Sequence, residues 1–365
     1  MRVLHITWGM GIGGKERFLN ALIRGLHGNG FDMHVCCLRE RGPYYDPLCQ
    51  DGYALSFLAK KRGVDVAAAI RLKRIIADFS PDVVHTHDFT SLFLFSLASR
   101  LGALPARLVV SLHGGHVRLS PGKQALHSAL LRRCDVAIGV SQRQVERLRA
   151  QLGTRASLIH IPYGVEPMPM HPSTDDREAA CAPSPLSDGP VVVMAARFEK
   201  PKDQDSLVCA MRQIAEAFTS VECILAGSGR RLRTIQALVA EQGLDRNVRF
   251  VVGTTEVGAI ISQADVCVLS SFHEGLPICI LEYMAAHKPV VASDVGGVCE
   301  MVRNEKEGFL VEPGDPDALA DRIAFLLRDP ATAKQMGKRA GERVEKQFQL
   351  RTMLEAYAQQ YRALA

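Results

Sequence analysis

The sequence predicts two α/β domains, each a doubly wound parallel sheet, facing one another across a cleft. Three observations carry that expectation. Short β-branched runs alternate with helical stretches through the first 165 residues, the same alternation restarts at residue 190, and a proline-rich stretch parts the two. The length of 365 residues, with 47% hydrophobic and 23% charged residues, suits two domains of ordinary size, each with its own core.

Taken in order, the first half opens with a strand (Val3–Thr7), a glycine loop (Gly9–Gly14) and a helix (Glu16–His27). A second strand, Met33–Leu38, follows, and a helix over Val64–Phe79 leads through Ser80-Pro81 into the strand Val83-Val84-His85. Val109–Leu112 and Val136–Val140 supply further short strands. Between Pro162 and Pro190 the prolines 167, 169, 172, 183 and 185 rule out a helix or central strand, so residues 166–189 read as a linker. The boundaries are therefore 1–165, 166–189 and 190–348, with a closing helix at about 349–365 returning to the first domain. The second half repeats the pattern through Val191–Ala195, Glu222–Ala226, Val248–Val252, Val266–Leu269 and Pro289–Ser293. Helical sequence then runs from Pro316, with a break near Lys346-Gln347-Phe348.

Composition excludes several classes. No apolar run reaches the roughly 18–20 residues of a membrane span, and the N-terminus runs straight into a strand without a cleavage site, so the expected compartment is the cytoplasm. The ten cysteines are scattered without a Cys-x-x-Cys pair and read as reduced core residues. Net charge is +5, but residues 1–165 carry 22 Lys/Arg against 11 Asp/Glu, so the excess is all in the first half. No aromatic–basic interleaving suggests nucleic acid; the excess fits peripheral contact with an anionic inner membrane, with Arg118–Arg133 the stretch to suspect.

Gly9-Met-Gly11-Ile-Gly13-Gly14 matches a dinucleotide-binding pattern, an NAD oxidoreductase being one reading. That reading wants an acidic residue after the second strand, which is expected to end near Arg39, with Asp32 before it. What survives is a glycine loop feeding a helix N-terminus, which suits a phosphate or sugar.

The second half holds the sharper signal. His273-Glu274-Gly275-Leu276-Pro277-Ile278 follows the strand Val266–Leu269, and a helix from about Pro277 to Ala286 carries Glu282. Gly275 permits an unusual turn and Pro277 suits a helix start. Two carboxylates thus flank a helix N-terminus able to receive a diphosphate, and ionised carboxylates accept from sugar diols. Arg197 and Lys202, in the charged segment after Val191–Ala195, are placed to neutralise that diphosphate, with Lys200 a rival for the lysine role. No carboxylate set for a divalent ion is apparent.

Glu274-x7-Glu282 with Arg197 and Lys202 resembles the retaining glycosyltransferases of family 4. The resemblance extends over nearly the whole chain, through the glycine loop, Val83-Val84-His85-Thr86-His87, Ser111-Leu112-His113-Gly114, Ala226-Gly227-Ser228-Gly229 and Asp294-Val295-Gly296-Gly297. It implies the GT-B fold of two Rossmann-like doubly wound parallel-sheet domains, a UDP- or GDP-sugar donor, retention at the anomeric carbon, and no metal or further cofactor. It also implies a glycan or lipid-linked acceptor in cell-surface polysaccharide or glycolipid synthesis. By position, Arg197 and Lys202 would grip the diphosphate with backbone support from Gly13 and Gly14. Leu276, Ile278 and Gly253 would line the nucleotide, Glu282 would bind ribose, Glu274 the donor sugar, and His113 would sit beside the reacting sugar through its main chain or ring. Family members have a small residue before the loop glutamate where this chain has Lys15-Glu16. A nucleotide-sugar 2-epimerase on the same fold is the alternative.

Among the twelve histidines, His85 and His87 alternate on a strand and are expected to point to opposite faces, which would keep them from sharing a metal ion. His113 and His116 flank two glycines, His87 and His273 are further site candidates, and His27, His34 and His127 read as surface or core.

Overall fold

A computed structural model describes residues 1–102, 104–114, 120–153, 157–167, 189–254 and 256–364. The chain divides into two compact units, Met1–Tyr163 with Leu350–Ala365, and Gly164–Gln349. Most of the expected linker, with His116 and Arg118, lies outside the described residues.

The first unit is built on a seven-stranded parallel sheet: β1 (Arg2–Gly9), β2 (Asp32–Glu40), β3 (Ala54–Phe57), β4 (Val83–Thr86), β5 (Arg107–Leu112), β6 (Val136–Gly139) and β7 (Leu158–His160). Their spatial order is β3-β2-β1-β4-β5-β6-β7. β4 and β6 are buried along their whole length, as expected where helices cover both faces of a parallel sheet. One face packs Leu4, Ile6, Val84 and Val110 against Leu72 and Ile76 of the helix Val66–Phe79 and Leu92 and Phe95 of the helix Phe89–Ser99. The helix Leu350–Leu364 belongs to this unit and buries Tyr357 and Tyr361 completely.

The second unit has a six-stranded parallel sheet: β8 (Val191–Ala195), β9 (Glu222–Gly227), β10 (Val248–Val252), β11 (Val266–Leu269), β12 (Val290–Ser293) and β13 (Gly308–Val311), ordered β10-β9-β8-β11-β12-β13. Two doubly wound parallel-sheet units of this kind are the GT-B architecture the sequence predicts.

Two local expectations need correcting. β2 runs on to Glu40, so an acidic residue does stand at its end. Gly9 pairs with it, and a Cβ on Gly9 would lie 2.5 Å from the Glu40 carbonyl oxygen. The first glycine of the loop therefore serves strand packing. The closing helical sequence breaks twice: at Phe348, as expected, and also at Asp329, whose carboxylate caps the helix Pro330–Gln347 through the Thr332 N–H (3.0 Å).

Candidate active site

Strand order in the second sheet reverses between β8 and β11, and doubly wound sheets bind ligands outside the carboxyl ends of strands at such a reversal. The segments leaving these two strands are stitched together there. Asp203 N–H donates to the Ser270 carbonyl (3.1 Å), Phe272 N–H to the Pro201 carbonyl (2.9 Å), and the Ser270 hydroxyl to the Asp203 carbonyl (2.6 Å). The Asp203 carboxylate in turn caps the helix Gln204–Ala217 by accepting from the Ser206 N–H and hydroxyl.

This stitching brings Lys202 Nζ to 2.5 Å from Glu274 Oε1, with the two side chains only 14% and 10% exposed. Burial opposes the charge on Lys202, but the Glu274 carboxylate, with Cys279 behind it, more than offsets that and raises the ammonium pKa. The backbone of Glu274 is buttressed from the loop after β12. Gly296 has φ 58°, and a Cβ there would lie 1.9 Å from the Glu274 carbonyl oxygen, while Gly297 N–H donates to the Gly275 carbonyl (2.8 Å).

The remaining second-unit candidates stand on the segments that follow β8, β10 and β11. Arg197 is exposed just past β8, and its carbonyl accepts from Gln204 Nε2 (2.9 Å). Lys200 and His273 are exposed. Leu276 and Ile278 are buried side chains, so each can offer a ligand only its backbone. Pro277 is the N-cap of the helix Ile278–Ala285, and Glu282 lies half-buried on its second turn. Gly253, with φ 79°, follows β10 and has open space where a Cβ would stand.

In the first unit the order reverses between β1 and β4, and the glycine loop and Asp88 meet there. Gly13 caps the helix Gly14–Leu26 in an extended conformation, with the Glu16 carboxylate folded over it. Lys15 Nζ lies 3.3 Å from Glu16 Oε1 and 3.6 Å from Asp88 Oδ2. Burial opposes its charge, Asp88 and Glu16 outweigh that, and its pKa is raised. The cation that departs from the family pattern is thus neutralised by its neighbours. Asp88 also accepts from the Trp8 N–H (2.8 Å) and caps Phe89–Ser99 through the Ser91 N–H (2.9 Å).

His113 is half-buried and both of its ring nitrogens are engaged: Nε2 with His87 Nδ1 (2.9 Å) and Nδ1 with the Tyr163 hydroxyl (2.7 Å). Of the two contacts expected for it, the main chain is therefore the one it can offer without breaking a bond. His85 and His87 do not point apart. β4 ends at Thr86, so alternation no longer governs His87, whose N–H donates to the Ile6 carbonyl (3.1 Å) and whose ring centroid lies 4.1 Å from that of His85. His5, the register partner of His85 on β1, completes the group. One nitrogen from each of these three rings lies within 4.8 Å of the others, the one such grouping among the described residues. Sequence reasoning missed His5, Ser111, Tyr163, Tyr357 and Tyr361; the available signal was a lone histidine inside each of two apolar strands.

Two doubly wound parallel-sheet units are the architecture of the GT-B type, and comparison with known proteins identifies a nucleotide-sugar glycosyltransferase. Residues 12–167 match the family described as Glycosyltransferase Family 4 and residues 176–343 match Glycosyl transferases group 1, and the chain belongs to these glycosyltransferases. It is 32% identical over 281 residues, 74% of this chain and 73% of the other, to the GDP-mannose-dependent alpha-(1-6)-phosphatidylinositol monomannoside mannosyltransferase of Mycolicibacterium smegmatis. It is 26% identical to the glycogen synthase of Mycobacterium tuberculosis, over 100% of this chain and 95% of that one. Among solved structures, Anabaena Alr3699/HepE in complex with UDP-glucose superposes with a TM-score of 0.86 at 20% identity, covering 100% of each chain, which speaks to the fold. The oxidoreductase reading of the glycine loop falls with this membership. No helix among the described residues is long and apolar enough to cross a membrane.

Proposed function

We propose that this chain is a retaining glycosyltransferase that moves a hexose from a GDP- or UDP-sugar to a glycan or lipid-linked acceptor without a metal ion. The reading extends to cell-surface polysaccharide or glycolipid synthesis at the cytoplasmic face of the membrane. The observation that carries it is the Lys202–Glu274 pair at the β8/β11 reversal. In transfer, the bond from the anomeric carbon to the β-phosphate oxygen breaks, the bond to the acceptor oxygen forms on the same face, and the acceptor proton passes to the departing phosphate. Negative charge grows on that diphosphate, and Lys202 and Arg197, with the backbone N–H groups opening the helix Ile278–Ala285, are the groups to stabilise it. Glu274 then accepts from donor-sugar hydroxyls, Glu282 from the ribose, and Gly253 leaves room for the base.

The name of the 32%-identical relative makes GDP-mannose the first donor to try. A melting-temperature screen of GDP-, UDP-, ADP- and TDP-sugars identifies the base, because a ligand that binds only the folded state stabilises it. Transfer is then assayed with and without EDTA and the product anomer read by NMR. An inverted anomer would remove retention, and loss of activity on chelation would remove metal independence.

A further inference from the structure

Four histidines and three tyrosines form a polar cluster inside the first unit. His5 Nδ1 lies 2.9 Å from His87 Nε2, His87 Nδ1 lies 2.9 Å from His113 Nε2, and His113 Nδ1 lies 2.7 Å from the Tyr163 hydroxyl. A second hydrogen-bonded group packs on this one through the His85 and His87 rings, whose centroids are 4.1 Å apart, and holds His85 between the Tyr361 hydroxyl (2.7 Å) and the Ser111 hydroxyl (2.8 Å), with Tyr357 on Ser111 (3.1 Å). His5 and His85 are 0% exposed and His87 2%. Phe18 covers the rings of His87, His113 and Tyr163. Such a cluster exceeds what a packed sheet needs, since apolar residues would fill the same volume without polar groups to satisfy.

We propose that His5 and His87 are positioning residues for the transfer reaction, forming a single-file hydrogen-bond relay that fixes the ring plane and tautomer of His113. The role rests on the proposed reading that His113 stands beside the reacting sugar. Its logic is the proton count. A neutral imidazole has one N–H and one bare nitrogen. Because His87 is bonded through both nitrogens, a proton on His5 Nδ1 forces one onto His87 Nδ1 and then onto His113 Nδ1. A proton on His113 Nε2 forces the reverse through all three. The three rings therefore share a single tautomer. Burial keeps them neutral, lowering His5 to about 3 and His87 and His113 well below their ordinary value. His5 Nε2 ends the line buried and without a hydrogen-bond partner, so the relay has no exit at that end. Its other end is the half-exposed loop after β5, where His113 can give a ligand its main chain while its ring stays locked.

Two measurements test this. In protein labelled with 15N-histidine, imidazole correlations near neutral pH should show His5, His87 and His113 neutral and in one common tautomer. Mixed tautomers, a charged ring, or stoichiometric zinc on these nitrogens would each overturn the relay. This arm needs no activity, so it stands even where no transfer is found and the proposed function fails. His87→Phe should lower kcat on the order of tenfold or more, with the donor KM and the stabilisation by nucleotide unchanged. His87→Gln, which keeps a donor and an acceptor, should recover part of kcat. Wild-type kcat in folded His87→Phe, or a loss that Gln does not relieve, would reduce the cluster to packing. Should His87→Phe not fold, the tautomer measurement decides.

Discussion

Lys202 and Glu274 stand 72 residues apart in sequence and 2.5 Å apart in space, each nearly buried at the strand reversal of the second sheet. The lysine proposed to bind phosphate and the glutamate proposed to bind sugar are thus one electrostatic unit in the protein itself. Their pairing keeps the lysine charged at neutral pH despite burial, and charged is the form that stabilises a leaving diphosphate.

The pair makes the choice of substitution matter. Glu274→Ala leaves a buried ammonium uncompensated, and breaking a buried pair costs on the order of 3–5 kcal/mol, so lost activity would be confounded by lost stability. Glu274→Gln keeps the shape and a hydrogen-bond acceptor. It still removes the counter-charge of Lys202, so it should lose some stability, though less than Glu274→Ala, while transfer falls at least about a hundredfold, the scale of losing one aligned charged contact in the transition state. Wild-type turnover in folded Glu274→Gln would remove Glu274 from the sugar site.

The two candidate lysines separate in the same way. Lys202 is locked to Glu274, whereas Lys200 is exposed. Lys202→Ala should abolish stabilisation by the nucleoside diphosphate in a thermal shift, and Lys200→Ala should leave it within about a degree. The reverse pattern would assign the diphosphate to Lys200.

Much of this was legible in the sequence because parallel sheets write themselves as short apolar runs, and β8 (Val191–Ala195) and β11 (Val266–Leu269) are unbroken ones. The edge strand Val248–Val252 was legible too, but β3 and β13, at two other edges, were not. Ala54–Phe57 is half-exposed, and Gly308–Val311 begins on a glycine pressed against the Val290 carbonyl, so neither has a strong apolar signature. Glu274 could be found because glycine and proline punctuate its loop. The histidine relay could not, because His5, His87 and His113 come from three separate segments that only the strand order β1-β4-β5 brings side by side. Alternation failed at His87 for a related reason, since where a strand stops is a tertiary fact.

The buried histidines also predict how stability responds to pH. His5, His85, His87 and His113 are all pushed below the ordinary value of 6.5 by burial, with His5 down to about 3. The unfolded chain therefore binds more protons than the folded one below pH 6.5. The stability these groups contribute is complete above that pH and is lost as pH falls from 6.5 toward each folded value. Each histidine adds a slope of up to about 1.4 kcal/mol per pH unit, so denaturant unfolding between about pH 6 and 5 should show uptake of several protons. A flat profile across that interval would mean that the rings are charged or solvated.

The last prediction concerns Gly296, whose backbone is pressed against the Glu274 carbonyl. Its φ of 58° disfavours any side chain, and a Cβ would fall 1.9 Å from the Glu274 carbonyl oxygen, which is backbone and cannot swing aside. Gly296→Ala must therefore push Glu274 away from Lys202 or distort the Asp294–Gly297 turn that receives it. Strain of this kind costs on the order of 1–3 kcal/mol, enough to lower the melting temperature by several degrees without unfolding a domain of this size. Activity should fall much further than stability does, because an ångström of displacement at a reacting centre can cost about a hundredfold. The informative comparison is Gly243→Ala, at a positive-φ glycine (φ 68°) with open space around it. It carries similar backbone strain far from the pair and should cost stability alone. Equal losses of turnover in the two variants would mean that Gly296 acts through general stability, and that Glu274 is placed by something other than this turn.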